Sequence, residues 1–181
     1  MFEMKVKKIL SRIERKIIFL FDGLNTKKYM KLYNSWLKKN GMDIQGEARY
    51  IHHTAVLDGQ GYELISIGEN TVISLGVTVL VHDFAPEAGF RALGIENGDE
   101  EAHTMKPVYI GQNCFIGANS TILGGAHIGK NCIVAAGSIV TGKSYPDNSI
   151  LAGNPAKVIG NTLEWAAKKL ENGNFEKGFF N

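Results

Sequence analysis

Long apolar runs are missing from this sequence. Nothing approaches the ~20 consecutive apolar residues that cross a bilayer. The segment Ile17 to Phe21 is too short and too late in the chain for the core of a secretion signal, so the expected location is the cytoplasm. Cysteine is also scarce: Cys114 and Cys132 are the two present. That number excludes a disulfide scaffold, and neither forms the C-x-x-C pair of a zinc or thiol-redox site. An excess of one charge is lacking as well, with 20 basic residues against 18 acidic ones. Nor is there a nucleic-acid-binding motif, and a charged segment alone does not make one. The overall balance hides an asymmetry, because residues 1–39 hold eleven Lys/Arg and three Asp/Glu, leaving nine basic against fifteen acidic residues in the remainder.

What is present fits one soluble domain: 181 residues, 44% apolar and 21% charged. The segments EMKVKKILSRIERKIIFLFD and TKKYMKLYNSWLKKN mix apolar and basic positions at helical spacing, separated by Asp22-Gly23 and closed by Asn40-Gly41. Near the other end, NTLEWAAKKLENG predicts a short helix. Asn161 or Thr162 would cap it, Leu163, Ala166, Ala167 and Leu170 would form its apolar face, and Gly173 would stop it.

Between the helices runs a repeat of six. Apolar anchors fall at Ile44, Tyr50 and Val56; at Ile67, Ile73 and Val79; at Ile110, Ile116 and Ile122; and at Ile128, Val134 and Val140. Three residues after many of these anchors stand Asn70, Gly76, Asn113, Asn119, Gly125, Asn131 and Gly137, residue types that tolerate positive φ. Six residues thus make a short strand and a corner, and three such units make a triangular turn that stacks on the next around an aliphatic column. Four turns fit, interrupted by an irregular YELIS join near residue 62 and by a gap over 85–106. Cys114 and Cys132 fall one above the other. Stacked strands lie ~4.8 Å apart and a disulfide needs Cβ atoms nearer ~3.8 Å, so two free core thiols are expected.

The stretches IGENTVISLGVTVLVHD, PVYIGQNCFIGANSTILGGAHIGKNCIVAAGSIVTG and ILAGNPAKVIG resemble the hexapeptide-repeat acyltransferases over roughly residues 44–160. The resemblance is strongest to the maltose and galactoside O-acetyltransferases and their relatives in polysaccharide biosynthesis, and AAGSIVT followed by AGNPAKVI is its most specific part. It implies an all-β core, a left-handed parallel β-helix of hexapeptide repeats with N-terminal helices, a long protruding loop and a short C-terminal helix. The implied organisation is an N-terminal helical segment over 1–43, the acyltransferase β-helix over 44–160 with the loop 85–106, and a C-terminal helix and tail over 161–181. Left-handedness comes from the resemblance alone, since parallel crossovers in general favour the right hand. Homotrimers with sites between subunits are implied too.

In VLVHDFAPEAGF, His82 occupies the slot three residues after Val79, where other turns place Asn or Gly, and the chain then leaves the coil from Ala85 to Lys106. A connection that long without legible structure is usually functional. In the resembling enzymes a histidine at such a junction is the general base, a task suited to an imidazole. The resemblance therefore implies transfer of acetyl from acetyl-CoA to a saccharide hydroxyl in surface polysaccharide synthesis, with no metal required. Here the histidine precedes Asp83 rather than the proline of the sugar acetyltransferases. Asp83 is a candidate for orienting the acceptor or the imidazole, Asp58 in VLDGQG for binding acceptor hydroxyls, and Glu101 for a contact from the arm. Each also reads as an ordinary loop carboxylate. His127 reads as a coil position, and His52, His53 and His103 carry no assignment.

For the acyl donor, the resemblance and the run of small residues point to the late turns. Phe115 stands where the maltose-type enzymes usually carry tryptophan. Gly117, Ala118, Ala135, Ala136, Gly137, Ser138 and Thr141 would let a pantetheine arm approach the backbone, and Lys143 and Lys157 would meet its phosphates. Coil geometry alone also accounts for small residues at these places. Alternatives are N-acetylation of an amino sugar, O-acetylation of an antibiotic, and a non-catalytic β-helix scaffold. A zinc carbonic anhydrase on a related β-helix is disfavoured because its histidine pair five residues apart is absent. The basic N-terminal helices are expected to cover one end of the coil. A second reading gives them a peripheral attachment to an anionic inner-membrane surface, with KIIFLF as the apolar side.

Overall fold

Asparagine and glycine set the corners of the chain. In the computed structural model, which describes residues 2–96, 98, 100–173 and 175–177, Asn70, Asn113, Asn119 and Asn131 take φ of 59°, 55°, 57° and 56°, and Gly76, Gly125 and Gly137 take 65°, 86° and 70°. Every corner expected from the repeat is left-handed in backbone conformation. Asn148 joins them at 60°; it lies 17 residues after Asn131 and escapes a strict six-residue count. At this edge the side chains form a ladder, Asn113 donating to Asn131 at 3.2 Å and Asn131 to Asn148 at 2.9 Å. Positions 97 and 99 of the expected arm, and 174 and 178–181 of the expected tail, lie outside the described residues.

The short strands between corners stack in parallel into three faces. Face A holds Asp43–Ile44, Ile65–Ile67, Val108–Ile110, His127–Ile128 and Ser144–Tyr145. Face B holds Tyr50–Ile51, Val72–Ile73, Phe115–Ile116, Ile133–Val134 and Ser149–Gly153, closed by Ala156–Asn161 running antiparallel. Face C holds Val56–Leu57, Thr78–Val79, Thr121–Ile122 and Ile139–Val140. Inside, Ile67, Ile73, Val79, Ile110, Ile116, Ile122, Ile128, Val134 and Val140 are all fully buried. Cys114 and Cys132 are buried free thiols in this column. The YELIS join is a 3-10 turn over Tyr62–Leu64.

The first turn departs from the expected register. Tyr50 is only partly buried and Val56 is exposed, while Ile51 and Leu57 fill the interior and pair with Ile73 and Val79. The corner after Ile44 is one residue longer than the corner after Ile67, which moves the inward positions along by one. A one-residue change in a strand reverses which side chains face the core.

Helices α1 (Phe2–Phe19) and α2 (Thr26–Lys39) precede the coil. Asn25 caps α2 by accepting from the Lys28 N–H. Helix α2 lies on the first turn and satisfies backbone groups that would otherwise form an open edge. Tyr29 Oη donates to the Ile51 carbonyl at 2.6 Å, and the Asn34 amide both donates to the Ala48 carbonyl at 3.0 Å and accepts the Ala48 N–H at 3.1 Å. Burial pushes the Tyr29 and Tyr33 phenols well above their ordinary range, so both stay protonated near neutrality.

Two further helices follow. The arm is not structureless: α3 (Ala85–Ala92) opens it, and Thr104–Met105 returns antiparallel to His82–Asp83. Helix α4 (Thr162–Glu171) is capped by Asn161, which accepts from the Leu163 and Glu164 N–H groups. Among the described residues of α4 none is buried, so the expected face of Leu163, Ala166, Ala167 and Leu170 is uncovered in the single chain.

Replacing Asn34 with alanine leaves the buried Ala48 N–H and C=O without partners. A loss of about 2–4 kcal/mol is expected, read as a lower urea midpoint at unchanged slope; a change under 0.5 kcal/mol would show that α2 does not secure the first turn through this amide.

Candidate active site

Asp58 and His82 meet at the corner between faces C and A. Asp58 follows Leu57, and because Leu57 stacks on Val79 the carboxylate comes to rest beside the chain at Val81 and His82. Its Oδ1 accepts the Gln60 N–H at 3.2 Å, the hydrogen bond of an Asx turn, and its Oδ2 accepts the Val81 N–H at 3.1 Å. The same Oδ2 accepts a hydrogen bond from His82 Nδ1. The Asp58 side chain is 4% exposed and that of His82 is 25% exposed. An ionised carboxylate only accepts, so Nδ1 carries the proton and Nε2 is left as the imidazole's free lone pair.

Gly61 makes this approach feasible. A Cβ there would lie 2.6 Å from Val81 Cγ2 and 3.0 Å from Met105 Cε, so a side chain would push the Asp58 turn off the base of the arm. His82 occupies the expected corner slot, but the chain does not turn there. It continues extended into the two-stranded base of the arm, and Lys106 N–H closes the junction on the Val81 carbonyl at 2.8 Å.

The arm's acidic residues serve the arm. Asp83 Oδ1 accepts the Ala85 N–H at 2.8 Å at the start of α3, and Glu101 lies 3.9 Å from Arg91. The buried Glu87, which sequence reasoning missed, accepts from Arg91 Nε and from the Ala102 N–H, both at 2.8 Å, and so ties α3 to the returning limb. Phe84 packs between the imidazoles of His82 and His103, with ring centroids 5.3 and 5.0 Å away. Asp58, expected to bind acceptor hydroxyls, has both oxygens taken and faces the imidazole instead. Asp83, expected near the imidazole or acceptor, is engaged with the backbone.

The residues expected along an acyl donor divide between two corners. Ala118, Ala135, Ala136 and Gly137 lie at the corner between faces B and C, with Lys157 nearby on the closing strand and Phe115 exposed on face B. Gly117 and Ser138 belong to the same corner but are buried. Ser138 Oγ turns inward to accept the Gly153 N–H at 3.3 Å, and a Cβ on Gly117 would come within 2.5 Å of Ala136 N. Close stacking of turns by itself demands glycine at 117. Thr141 and Lys143 lie at the other corner, below the His82 junction.

A groove of about 1010 Å³ runs along the top of face C between the two corners. Its floor is Thr54 to Gln60, with Asp58 at one end and His53 at the other, and Ser11, Arg12 and Arg15 of α1 form its wall. At the His53 end, Asp22, His52 and His53 bring potential ligand atoms within 4.8 Å of one another. The two rings stack at 4.4 Å with planes 27° apart, so their lone pairs run side by side rather than converging on an ion. Asp22 already accepts from Tyr50 Oη at 3.0 Å and pairs with His53 Nδ1 at 2.7 Å. These groups read as a hydrogen-bonded cluster. Their adjacency depends on where α1 ends, which the spacing of the histidines does not reveal.

Burial alone would raise the Asp58 carboxyl, but the Val81 and Gln60 N–H groups and His82 favour the anion more strongly and hold it below its ordinary value of 3.8. A carboxyl depressed in this way stabilises the fold above its unfolded value and loses that contribution as pH falls through the lower folded value. The stability difference between the wild type and Asp58→Asn is therefore expected to be constant above about pH 5 and to shrink below pH 3.8. Chemical denaturation across that range checks it, and a difference that ignores pH would contradict an ionised Asp58 carboxylate.

Comparison with known proteins agrees with this architecture. The model of the hexapeptide repeat of succinyl-transferase matches residues 107–142. Protein CapG of Staphylococcus aureus is 39% identical over 141 residues, covering 78% of each chain. A maltose O-acetyltransferase from Clostridium difficile superposes with a TM-score of 0.54 at 25% identity, over 84% of this chain and 88% of that one. A hexapeptide-repeat acetyltransferase from Vibrio cholerae, solved with acetyl coenzyme A, superposes with a TM-score of 0.57 at 18% identity, over 84% and 87% of the two chains. The shared fold is the left-handed parallel β-helix, and this chain belongs to the hexapeptide-repeat acyltransferase family.

Proposed function

We propose that the protein transfers an acetyl group from acetyl-CoA to a saccharide hydroxyl, with His82 as general base. The observation that carries this reading is the Asp58–His82 pair: a buried anion fixes one imidazole nitrogen and leaves the other as a free lone pair on a partly exposed side chain at the base of the arm. His82 Nε2 takes the acceptor's proton as its oxygen bonds to the acyl carbon. The resulting imidazolium, stabilised by Asp58, returns that proton to the departing thiolate. Asp58 thus acts as a positioning residue rather than a ligand for the sugar. Acetyl-CoA supplies the activated thioester. The exposed backbone at Ala136 and Gly137, the Phe115 ring and the cationic Lys157 suit its pantetheine and phosphate groups. A backbone N–H is assigned the developing oxyanion. The maltose O-acetyltransferase at 25% identity supports a sugar hydroxyl as acceptor. The resemblance to polysaccharide-biosynthesis enzymes supports a role in surface polysaccharide synthesis.

We also propose a homotrimer, because the single chain separates its two halves of the site. His82 and the small-residue corner stand on opposite edges of face C, separated by up to roughly 16 Å, the reach of the five residue steps from Ala136 to Thr141. A neighbouring copy that presents its small-residue corner to this chain's His82 brings the thioester to the base.

His82→Ala is expected to lower kcat by roughly 10²–10⁴-fold while changing the KM for acetyl-CoA only a few-fold, measured as thiol release with saccharide and amino-sugar acceptors. An active variant would remove His82 from the mechanism, and turnover confined to amino sugars would move the assignment to N-acetylation. Ala136→Trp should block the donor groove. Mixing His82→Ala chains with Ala136→Trp chains should then restore up to roughly a quarter of the sites by random assembly, whereas no recovery after subunit exchange would place base and donor in one chain.

A further inference from the structure

Helix α1 has two apolar faces, and the fold uses one of them. At about 100° per residue, Ser11, Arg15, Ile18 and Phe19 share the side turned toward α2. Ile18 is buried, the Ser11 carbonyl accepts from Trp36 Nε1 at 3.1 Å, and the Arg15 guanidinium lies over the Phe19 and Trp36 rings. On the opposite side Val6, Ile9, Leu10, Ile13 and Ile17 fall within an arc of about 100°. Those five residues are 37%, 55%, 59%, 50% and 54% exposed, and Leu20 and Leu24 extend the stripe at 69% and 81%. An apolar groove of about 490 Å³ between α1 and α2, lined by Leu10, Ile13, Ile17, Phe21 and Leu32 among others, runs along it. Single exposed aliphatic residues are ordinary on a protein surface, whereas a continuous stripe of this extent marks an interaction site.

Charge identifies the partner. On the helical wheel Arg12 and Lys16 border the stripe on one side and Lys7 on the other, and Glu14 on that second side is neutralised by Lys39 at 3.0 Å. Lys28 of α2 lies over the Phe21 ring at 4.3 Å, beside the groove. We propose that this face docks on an anionic phospholipid bilayer. Helix α1 would lie in the plane of the headgroups, its aliphatic stripe among the upper acyl carbons and its bordering cations among the phosphates. A second copy of the chain is a poorer occupant, because it would set the same cationic borders against each other. Among the described residues no helix is long and apolar enough to cross a membrane, so the geometry is that of a helix lying on the surface. The docking proposal stands on α1 and does not depend on the acetyl-transfer reading.

Sedimentation of the full chain with vesicles tests it. The chain is expected to pellet with phosphatidylcholine vesicles containing phosphatidylglycerol at low salt, to be released by high salt, and to ignore pure phosphatidylcholine. Combining Lys7→Gln with Lys16→Gln should weaken partition by roughly 25-fold, about fivefold for each cation. Ile13→Asp with Ile17→Asp should weaken it by roughly a hundredfold. Both isoleucines are half exposed, so the melting temperature should hold; if the aspartate pair fails to fold, the lysine pair carries the test. No pelleting with anionic vesicles at low salt, or equal pelleting of the folded variants, would overturn the proposal. So would a fall in oligomer mass by light scattering in the aspartate variant, which would assign the stripe to a contact between copies.

Discussion

The left-handed corner is the constraint on which the molecule depends. Each turn must change direction three times within about eighteen residues, and at most corners asparagine or glycine accepts a positive φ that other side chains resist. Once the corners are made, strands of two or three residues suffice, because their backbone groups pair vertically with neighbouring turns. The isoleucine and valine column is a consequence: with the corners fixed, one or two side chains per strand point inward, and the interior has room for little else.

A stack of turns has two open ends, and the chain treats them differently. At the first turn, α2 brings Asn34 and Tyr29 down onto the exposed backbone at Ala48 and Ile51, replacing the missing neighbour with side-chain hydrogen bonds. At the last turn the strand Ala156–Asn161 folds back antiparallel on Ser149–Gly153 and closes face B. Beyond it, α4 leaves its apolar residues open. The single chain therefore closes both ends of its coil while leaving apolar residues exposed on its outer helices.

The site lies where the regular pattern is broken. At His82 a corner residue is replaced by one that lets the chain run straight out, and the emerging arm is held by its own short ribbon and by Glu87. The break exposes an imidazole, and the turn above supplies the carboxylate that orients it. A regular coil offers mostly backbone and small side chains at its edges, so a reactive group needs such an interruption. The buried Asp58 anion is tolerable because two backbone N–H groups and the imidazole solvate it.

The corners Asn70, Asn113, Asn119 and Asn131, the aliphatic column and the helix ends were legible in the sequence because each depends on neighbours a few residues away. The arm's helix had a local signal too, in Asp83 followed by Ala85-Pro86, since proline favours a first turn. The inward positions of the first turn were not legible, because a single extra residue between Ile44 and Ile51 shifts the count without changing the composition. The partnership of Asp58 with His82 was hidden for a related reason. The two residues are 24 apart rather than one regular turn of 18, and only the stacking of Leu57 on Val79 through the irregular Tyr62–Leu64 join brings them together. The division of the donor-side residues between two corners likewise follows from which strands share a face. The sequence by itself determined the coil, its corners and the histidine at its break, all products of local conformational preference. Only the tertiary structure decided which carboxylate meets that histidine and which apolar face of α1 is left bare, because both depend on register and packing between segments far apart in the chain.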